Sequence, residues 1–213
     1  YMLHIYQRTL NGCNIFYDLE DYLVFYTVFA SVSRKYDLKV TGLCLMVDHL
    51  HVLVQSDIES VVSRFVSHYT SVFVKLYNED VGRKGELFEK SFGRAWKRGS
   101  KKVRTAIAYL LNNPVEKSVC RRVEEYRWNF IAYADSLNPY SEQIPLRFAS
   151  RALRRALKEV TRTASVGCHL NYVQLRRLLL PLDQKEREVL TDHIIMTYNV
   201  VDYKILTHYY GSY

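Results

Sequence analysis

The fold of this chain is decided by the stretch Cys44-Leu45-Met46-Val47-Asp48-His49-Leu50-His51-Val52-Leu53-Val54-Gln55. Its run of apolar and β-branched residues predicts a β-strand. Because successive side chains of a strand point to opposite faces, His49 and His51 share one face, and the intervening apolar side chains occupy the other. Two imidazoles side by side suit a divalent metal ion held through nitrogen. An H-x-H pair also arises by chance, so this hypothesis needs support from a second element.

The composition indicates a folded, basic protein. The 213 residues are 48% hydrophobic and 14% aromatic, which argues for a packed core and against disorder. The formal net charge of +8 favours a polyanionic partner. Nucleic acid is favoured over a membrane surface because the sequence has no lipid-anchoring motif. A basic protein with no such partner is an alternative that the charge alone leaves open.

The cysteines and the hydropathy of the chain predict a cytoplasmic protein. The four cysteines lie far apart and have no C-x-x-C spacing: Cys13, Cys44, Cys120 and Cys168. Such a distribution is typical of reduced thiols and not of a disulfide framework or a zinc ribbon. We expect neither a membrane span nor a signal peptide, since no stretch has the length or layout of either.

The order of elements around the histidine strand predicts an α+β fold. The periodicities indicate strand, helix, strand, strand, helix and strand over residues 2–9, 19–30, 38–47, 49–55, 58–76 and part of 87–96. This order is the ferredoxin-like plan, an antiparallel sheet with two helices on one face. Leu50, Val52 and Val54 would meet those helices, and the histidines would lie on the other face.

A later helix supplies the second element. The stretch from Ser100 to Asn113 has helical periodicity, and Pro114 is expected to end it. Tyr109 and Asn113 are four residues apart, so they share one flank of the helix, away from its buried stripe. A helix laid on the open face of the sheet could present both to the histidines. The alternatives are that the tyrosine only packs and that the asparagine only marks the helix end.

Two basic clusters are candidate DNA-binding surfaces. The first precedes and enters the tyrosine helix and combines cations with an aromatic: Arg94, Trp96, Lys97, Arg98, Lys101, Lys102 and Arg104. Cations for phosphates beside aromatics for bases are typical of single-strand binding. The second is a helical stripe that could grip a duplex stem through its backbone: Arg147, Arg151, Arg154, Arg155, Lys158 and Arg162. Solvated charged surfaces are the alternative for both.

Prolines near residue 140 predict a domain boundary. Asn138-Pro139 and Ile144-Pro145 separate the elements described so far from a series of helical patterns. We therefore divide the chain into residues 1–140, which hold the histidines and Tyr109, and a helical extension over residues 141–213.

Several motifs resemble those of one family. Met46-Val47-Asp48-His49-Leu50-His51 is similar to Met-Pro-Asn-His-x-His, and Tyr109-Leu110-Leu111-Asn112-Asn113-Pro114-Val115 to Tyr-Ile-His-x-Asn-Pro-Val. Two further stretches also match family motifs. Gly85-Glu86-Leu87-Phe88-Glu89 is similar to Gly-His-Leu-Phe-Gln, and Glu125-Tyr126-Arg127-Trp128-Asn129 resembles Tyr-x-Trp-Ser-Ser. All four occur in the order found in HUH single-tyrosine transposases of insertion sequences and REP-associated elements. The chain departs from these motifs at Val47, Asp48 and Leu111. None of these departures replaces His49, His51, Tyr109 or Asn113.

The resemblance implies a metal-dependent endonuclease and strand transferase acting on single-stranded, hairpin-bearing DNA ends. Tyr109 would be the nucleophile and form a 5′-phosphotyrosine link. His49, His51 and Asn113 would hold Mg²⁺ or Mn²⁺. The expected partner is single-stranded or hairpin DNA, bound by a monomer or homodimer.

Two alternatives to that transposase interpretation stay open. One is a domesticated hairpin-binding protein that lost the chemistry, and the other is a phosphoesterase that uses water. No general base is identified. His4 and Gln55 are candidate outer partners of the site, with a structural role as the alternative for each.

Overall fold

A computed structural model describes residues 1–89 and 91–210. Four strands lie in the described residues: β1 (Met2–Arg8), β2 (Lys39–Leu45), β3 (His49–Gln55) and β4 (Gly93–Lys97). The same residues form seven α-helices: α1 (Leu19–Ser33), α2 (Glu59–Val81), α3 (Ser100–Glu116), α4 (Arg151–Ser165), α5 (Tyr172–Leu179), α6 (Gln184–Thr197) and α7 (Lys204–Tyr210). None of these helices has the length and apolar character to cross a membrane.

The strands form one antiparallel sheet in the order β2-β3-β1-β4. With the helices placed between the strands along the chain, this is the ferredoxin-like plan predicted from the sequence. The two central strands, β1 and β3, pair along their whole length, with Ile5 opposite Val52 and Tyr6 opposite His51. This pairing brings the histidine strand to the middle of the sheet.

The two faces of the sheet are covered by different helices. Leu50, Val52 and Val54 belong to the large buried core with residues of α1 and α2. On the other face, Leu53 packs in a smaller core against Ile107 and neighbouring apolar residues of α3. The predicted facing of the strand is therefore confirmed, with two helices on one side and the tyrosine helix on the other.

Helix α3 differs from the sequence prediction at its end. The sequence predicts that Pro114 terminates it, yet the helix continues to Glu116. Proline costs a helix one backbone donor, and its own φ is compatible with helical geometry. The last turn is closed instead by the backbone N–H of Lys117, which donates to the carbonyl of Asn113 at 3.1 Å. Asn113 thus lies inside a regular turn, which fixes the direction of its side chain.

The helical extension packs on α1 and shares its core. Thirteen of the fifteen residues of α1 are buried, because the sheet lies on one side of the helix and α5 and α6 contact it on the other. Hydrogen bonds also tie the layers: Tyr26, for example, donates to the carbonyl of Ile195 at 3.2 Å, and Tyr172 donates to the carboxylate of Asp21 at 2.9 Å. The division of the chain at residue 140 stays a prediction, but the two parts contribute to one core.

The end of the extension covers the edge of the sheet and supports the tyrosine helix. Val201 forms a parallel bridge with Val40 of the edge strand β2. From there α7 crosses to α3, where Leu206 joins the core cluster of Ile107. We infer that α3 is held between the sheet and α7.

Candidate active site

His49 and His51 open into a cleft between the sheet and α3. The cleft has a volume of about 810 Å³, and its walls come from β1, β3, β4, α3 and the loops beside them. Tyr109 and Asn113 of α3 line it together with both histidines. The cleft therefore brings together the four residues that the sequence singled out.

The Nε2 atoms of both histidines point at the side-chain amide of Asn113. Nε2 of His49 lies 3.2 Å from its Oδ1 atom, and Nε2 of His51 lies 3.4 Å from its Nδ2 atom. Asn113 is 2% exposed and His51 6% exposed, so these groups meet away from bulk water. The three side chains come from two elements that are far apart in sequence, and the crossing of α3 over β3 creates the arrangement.

The other ring nitrogen of each histidine has its own partner. Nδ1 of His49 lies 2.6 Å from the carboxylate of Asp48, and Nδ1 of His51 lies 3.1 Å from Nε2 of His4. A carboxylate only accepts, so Nδ1 of His49 is the donor to Asp48, and in a neutral imidazole the lone pair then lies on Nε2. Partners of this kind fix the orientation and tautomer of metal-binding histidines. His4, which the sequence suggested as an outer partner, lies in that position.

Burial keeps two of the imidazoles neutral. It lowers the pKa of His4 to about 4, and the positive charge of Lys97 adds to the effect. It lowers the pKa of His51 to about 3, helped by the charges of His4, His49 and Arg8. Near pH 7 these rings therefore carry free lone pairs, which a metal ligand requires.

Tyr109 stands at the mouth of the cleft. Its ring lies edge-on to His51 and to His4, with centroid separations of 5.3 and 5.8 Å. The side chain is 43% exposed, although its helix is buried along the opposite stripe. The phenol is thus both accessible to a large substrate and adjacent to the histidines, because Tyr109 and Asn113 are one helical turn apart.

The donor set fits a divalent metal ion. The Nε2 atoms of His49 and His51 lie within 3.4 Å of the side-chain amide of Asn113, and imidazole nitrogen and amide oxygen are both ligand types that a divalent cation accepts. No group of three or more His, Cys, Asp or Glu side chains arranged to hold a metal occurs among the described residues. The third protein ligand here would therefore be a neutral amide oxygen, which leaves coordination positions for water and substrate oxygens.

The family follows from comparison with known proteins. Residues 2–113 match the family model described as transposase IS200-like. This match spans more than half of the chain and extends from β1 to Asn113. The chain belongs to the IS200-like transposase family. Membership of this family implies cleavage and rejoining of DNA.

A solved structure supports the fold of this transposase. It is a REP-associated tyrosine transposase bound to a REP hairpin, and it superimposes with a TM-score of 0.50 at 12% sequence identity. The alignment covers 70% of this chain and 91% of that chain. At this identity the likeness shows a common fold and nothing finer. Comparison with curated proteins gave no match.

Three cations of the transposase surround the cleft: Arg8, Lys97 and Lys117. No ion pair of theirs occurs in the part of the chain that the structure describes. Arg8 and Lys117 were not predicted from the sequence. The alternation of side chains along β1 could have predicted the position of Arg8. His4, Tyr6 and Arg8 alternate with the core residues of β1, so they lie on the face of the sheet that lines the cleft.

Other residues of the first basic cluster lie elsewhere. Arg94 pairs with Ile5 and Trp96 with Leu3 in the register of β4, so both point to the face of α1 and α2. Arg94 forms an ion pair with Glu59 of α2. The remaining cations are exposed before or at the start of α3: Arg98, Lys101, Lys102 and Arg104. Their roles in DNA binding stay predictions.

The second basic cluster forms an exposed stripe on α4. Arg151, Arg154, Arg155 and Lys158 are all exposed, and within the described residues none of them forms an ion pair. Helix α4 packs against α5 and α6, which lie on the α1 side of the sheet. The stripe and the cleft are thus on opposite sides of the sheet.

Proposed function

We propose that this transposase cuts and rejoins single-stranded DNA at a hairpin-bearing end, with Tyr109 as the nucleophile. The observation that carries the proposal is the position of Tyr109, exposed at the mouth of the cleft with its ring beside His51. A nucleophile has to reach a DNA strand and a charge-stabilising group at the same time. The exposure of Tyr109 and its closeness to the proposed ligand His51 support this role.

In the cutting step, the phenol oxygen of Tyr109 attacks phosphorus and forms an oxygen–phosphorus bond. The bond from phosphorus to the 3′ oxygen of the preceding nucleotide breaks, and that oxygen leaves with the electron pair and takes up a proton from water. The phenol proton passes to solvent. The product is a 5′-phosphotyrosine and a free 3′-hydroxyl. Rejoining reverses these changes with an incoming 3′-hydroxyl, so the bond energy is conserved and no nucleotide cofactor is needed.

His49, His51 and Asn113 would hold Mg²⁺ or Mn²⁺ for this reaction. When bound, the ion polarises the scissile phosphate and stabilises the charge that develops on it. Asp48 accepts the Nδ1 proton of His49, and in the tautomer that metal binding requires, His4 would accept the Nδ1 proton of His51, so that both Nε2 atoms would present lone pairs.

The DNA partner is proposed from charge and from the solved relative. Arg8, Lys97 and Lys117 surround the cleft and are placed to contact the phosphates of a single strand. The relative was solved with a REP hairpin. We therefore propose a hairpin with an unpaired flank as the substrate.

A covalent-adduct assay tests the function. The protein is incubated with end-labelled hairpin DNA and Mn²⁺, denatured, and separated by electrophoresis. We expect a DNA-linked protein band that Tyr109→Phe abolishes and that Tyr17→Phe, a change at another exposed tyrosine, leaves intact. Tight binding without any adduct would identify a hairpin-binding protein instead. Cleavage that survives Tyr109→Phe but not His49→Ala would identify a phosphoesterase that uses water.

A further inference from the structure

Tyr6 occupies the floor of the cleft beside the proposed metal ligands. It lies on the central strand β1, directly opposite His51 of β3 on one side and opposite Gly93 of β4 on the other. Its ring is 6.2 Å from the ring of His4, centroid to centroid. Tyr6 therefore lines the same cleft as the proposed ligand His51.

The ring of Tyr6 lies flat on the backbone of Gly93. A Cβ atom built on Gly93 would be 1.7 Å from Cζ of Tyr6 and 2.1 and 2.2 Å from its two Cε atoms. A point in the plane of the ring cannot have this set of distances, so the Cβ position lies over the face of the ring. Only glycine, which lacks a Cβ, lets the phenol ring lie down on the strand in this way.

The opposite face of the ring is open to the cleft. Tyr6 is 41% exposed, whereas its neighbours on β1, Ile5 and Gln7, are 0% and 5% exposed. A flat aromatic ring with one face on backbone and the other in a cleft has the shape of a stacking platform. The cations Arg8 and Lys97 line the same cleft.

We infer that Tyr6 is a positioning residue that stacks against the base of a nucleotide flanking the scissile phosphate. The inference rests on the proposed function, since it assigns a role within the same cleft. Base–aromatic stacking tolerates any sequence because every base has a π face, and phosphate contacts from the surrounding cations complete a single-strand site. Gly93 is part of this site because it sets the angle of the ring.

The alternative role of Tyr6 is structural, because an aromatic ring can simply shield the backbone of a glycine on a neighbouring strand. Leucine at position 6 would still shield Gly93 but would not stack on a base, whereas phenylalanine would do both. The comparison of these two substitutions therefore separates the roles. Tyr17→Leu is the matched control, since Tyr17 is 72% exposed and does not line the cleft.

The test uses full-length protein in a Tyr109→Phe background, which removes the proposed cleavage chemistry. The probe is an oligothymidylate of about 20 nucleotides in which 5-iododeoxyuridine replaces thymidine. We expect Tyr6→Leu to weaken binding about tenfold and Tyr6→Phe and Tyr17→Leu to change it less than about twofold. Irradiation should cross-link the DNA to the peptide that contains Tyr6, as identified by mass spectrometry.

Equal affinity of the Tyr6→Leu variant would overturn the inference, and so would cross-links confined to other aromatic residues. Failure of the probe to bind at all would also overturn it, because stacking does not depend on sequence. Failure of the proposed function would be distinguishable from failure of this inference. If the protein forms no covalent adduct but Tyr6→Leu still weakens DNA binding, the stacking site is supported and the proposed cleavage is not.

Discussion

The Oδ1 atom of Asn113 lies 3.2 Å from Nε2 of His49, although the two residues are 64 positions apart in the chain. The carboxylate of Asp48 accepts a hydrogen bond from Nδ1 of that imidazole. An imidazole nitrogen and an amide oxygen this close together are suited to ligate one divalent cation. This relationship motivates the first two predictions.

Removing the side chain of His49 or of Asn113 should weaken the binding of Mn²⁺ to the protein in the absence of DNA. We expect His49→Ala and Asn113→Ala to weaken binding by more than the about 10- to 100-fold that outer partners of metal ligands contribute. Isothermal titration calorimetry gives the measurement. His68→Ala is the matched control, because His68 lies on α2 with Tyr36 as its partner. Unchanged affinity in the His49 variant would rule out this site.

The carboxylate of Asp48 should matter through His49 and not through direct contact with the metal. Asp48→Ala removes the acceptor of the Nδ1 proton, and we expect Mn²⁺ affinity to fall about tenfold. Asp48→Asn retains an oxygen acceptor and should lose much less. The same calorimetric titration checks both variants. Equal losses in the two variants would contradict this role, because the oxygen acceptor that asparagine retains would then make no difference.

The stripe on α4 should contribute to affinity for duplex DNA. Replacing Arg151, Arg154, Arg155 and Lys158 by glutamine should weaken hairpin binding and reduce the salt dependence of the binding constant. The slope of log K against log salt should fall by about 0.9 for each phosphate that the variant no longer neutralises. Fluorescence anisotropy at several salt concentrations gives the slope. Arg176→Gln is the control in the same extension, since Arg176 is engaged by Asp80. A slope that does not change would identify the stripe as a solvated surface.

Gly93 should tolerate a side chain only when the ring of Tyr6 is absent. An alanine Cβ would collide with that ring and with nothing nearer. We expect Gly93→Ala to lower the free energy of unfolding by about 1–3 kcal/mol, as overpacked sites do. In a Tyr6→Ala background the same change should cost far less, which urea denaturation of the four proteins measures. Equal costs in both backgrounds would contradict the described packing.

The sequence predicted what depends on local periodicity. Alternation along β3 placed His49 and His51 on one face, and the four-residue interval placed Tyr109 and Asn113 on one flank of α3. Both patterns are short-range, and the side-chain periodicity of a strand or of a helix is enough to predict each of them. The antiparallel ferredoxin-like plan also followed from the order of elements along the chain.

The features that were missed depend on register between distant segments. The direction of Arg94 and Trp96 follows from the pairing of β4 with β1, and a strand placed only within 87–96 does not fix it. The contact of Tyr6 with Gly93 arises from the same pairing. The continuation of α3 through Pro114 reflects packing of the helix between the sheet and α7, which overrides the local signal.

The identity of the residue that becomes linked to DNA tests the central claim most directly. The covalent adduct formed with hairpin DNA and Mn²⁺ is digested with nuclease and protease, and the peptides are sequenced by mass spectrometry. The account predicts a nucleotide linked through its 5′ phosphate to Tyr109 alone among the 18 tyrosines of the chain. A nucleotide linked to a different tyrosine, or cleaved DNA with no modified peptide, would contradict it.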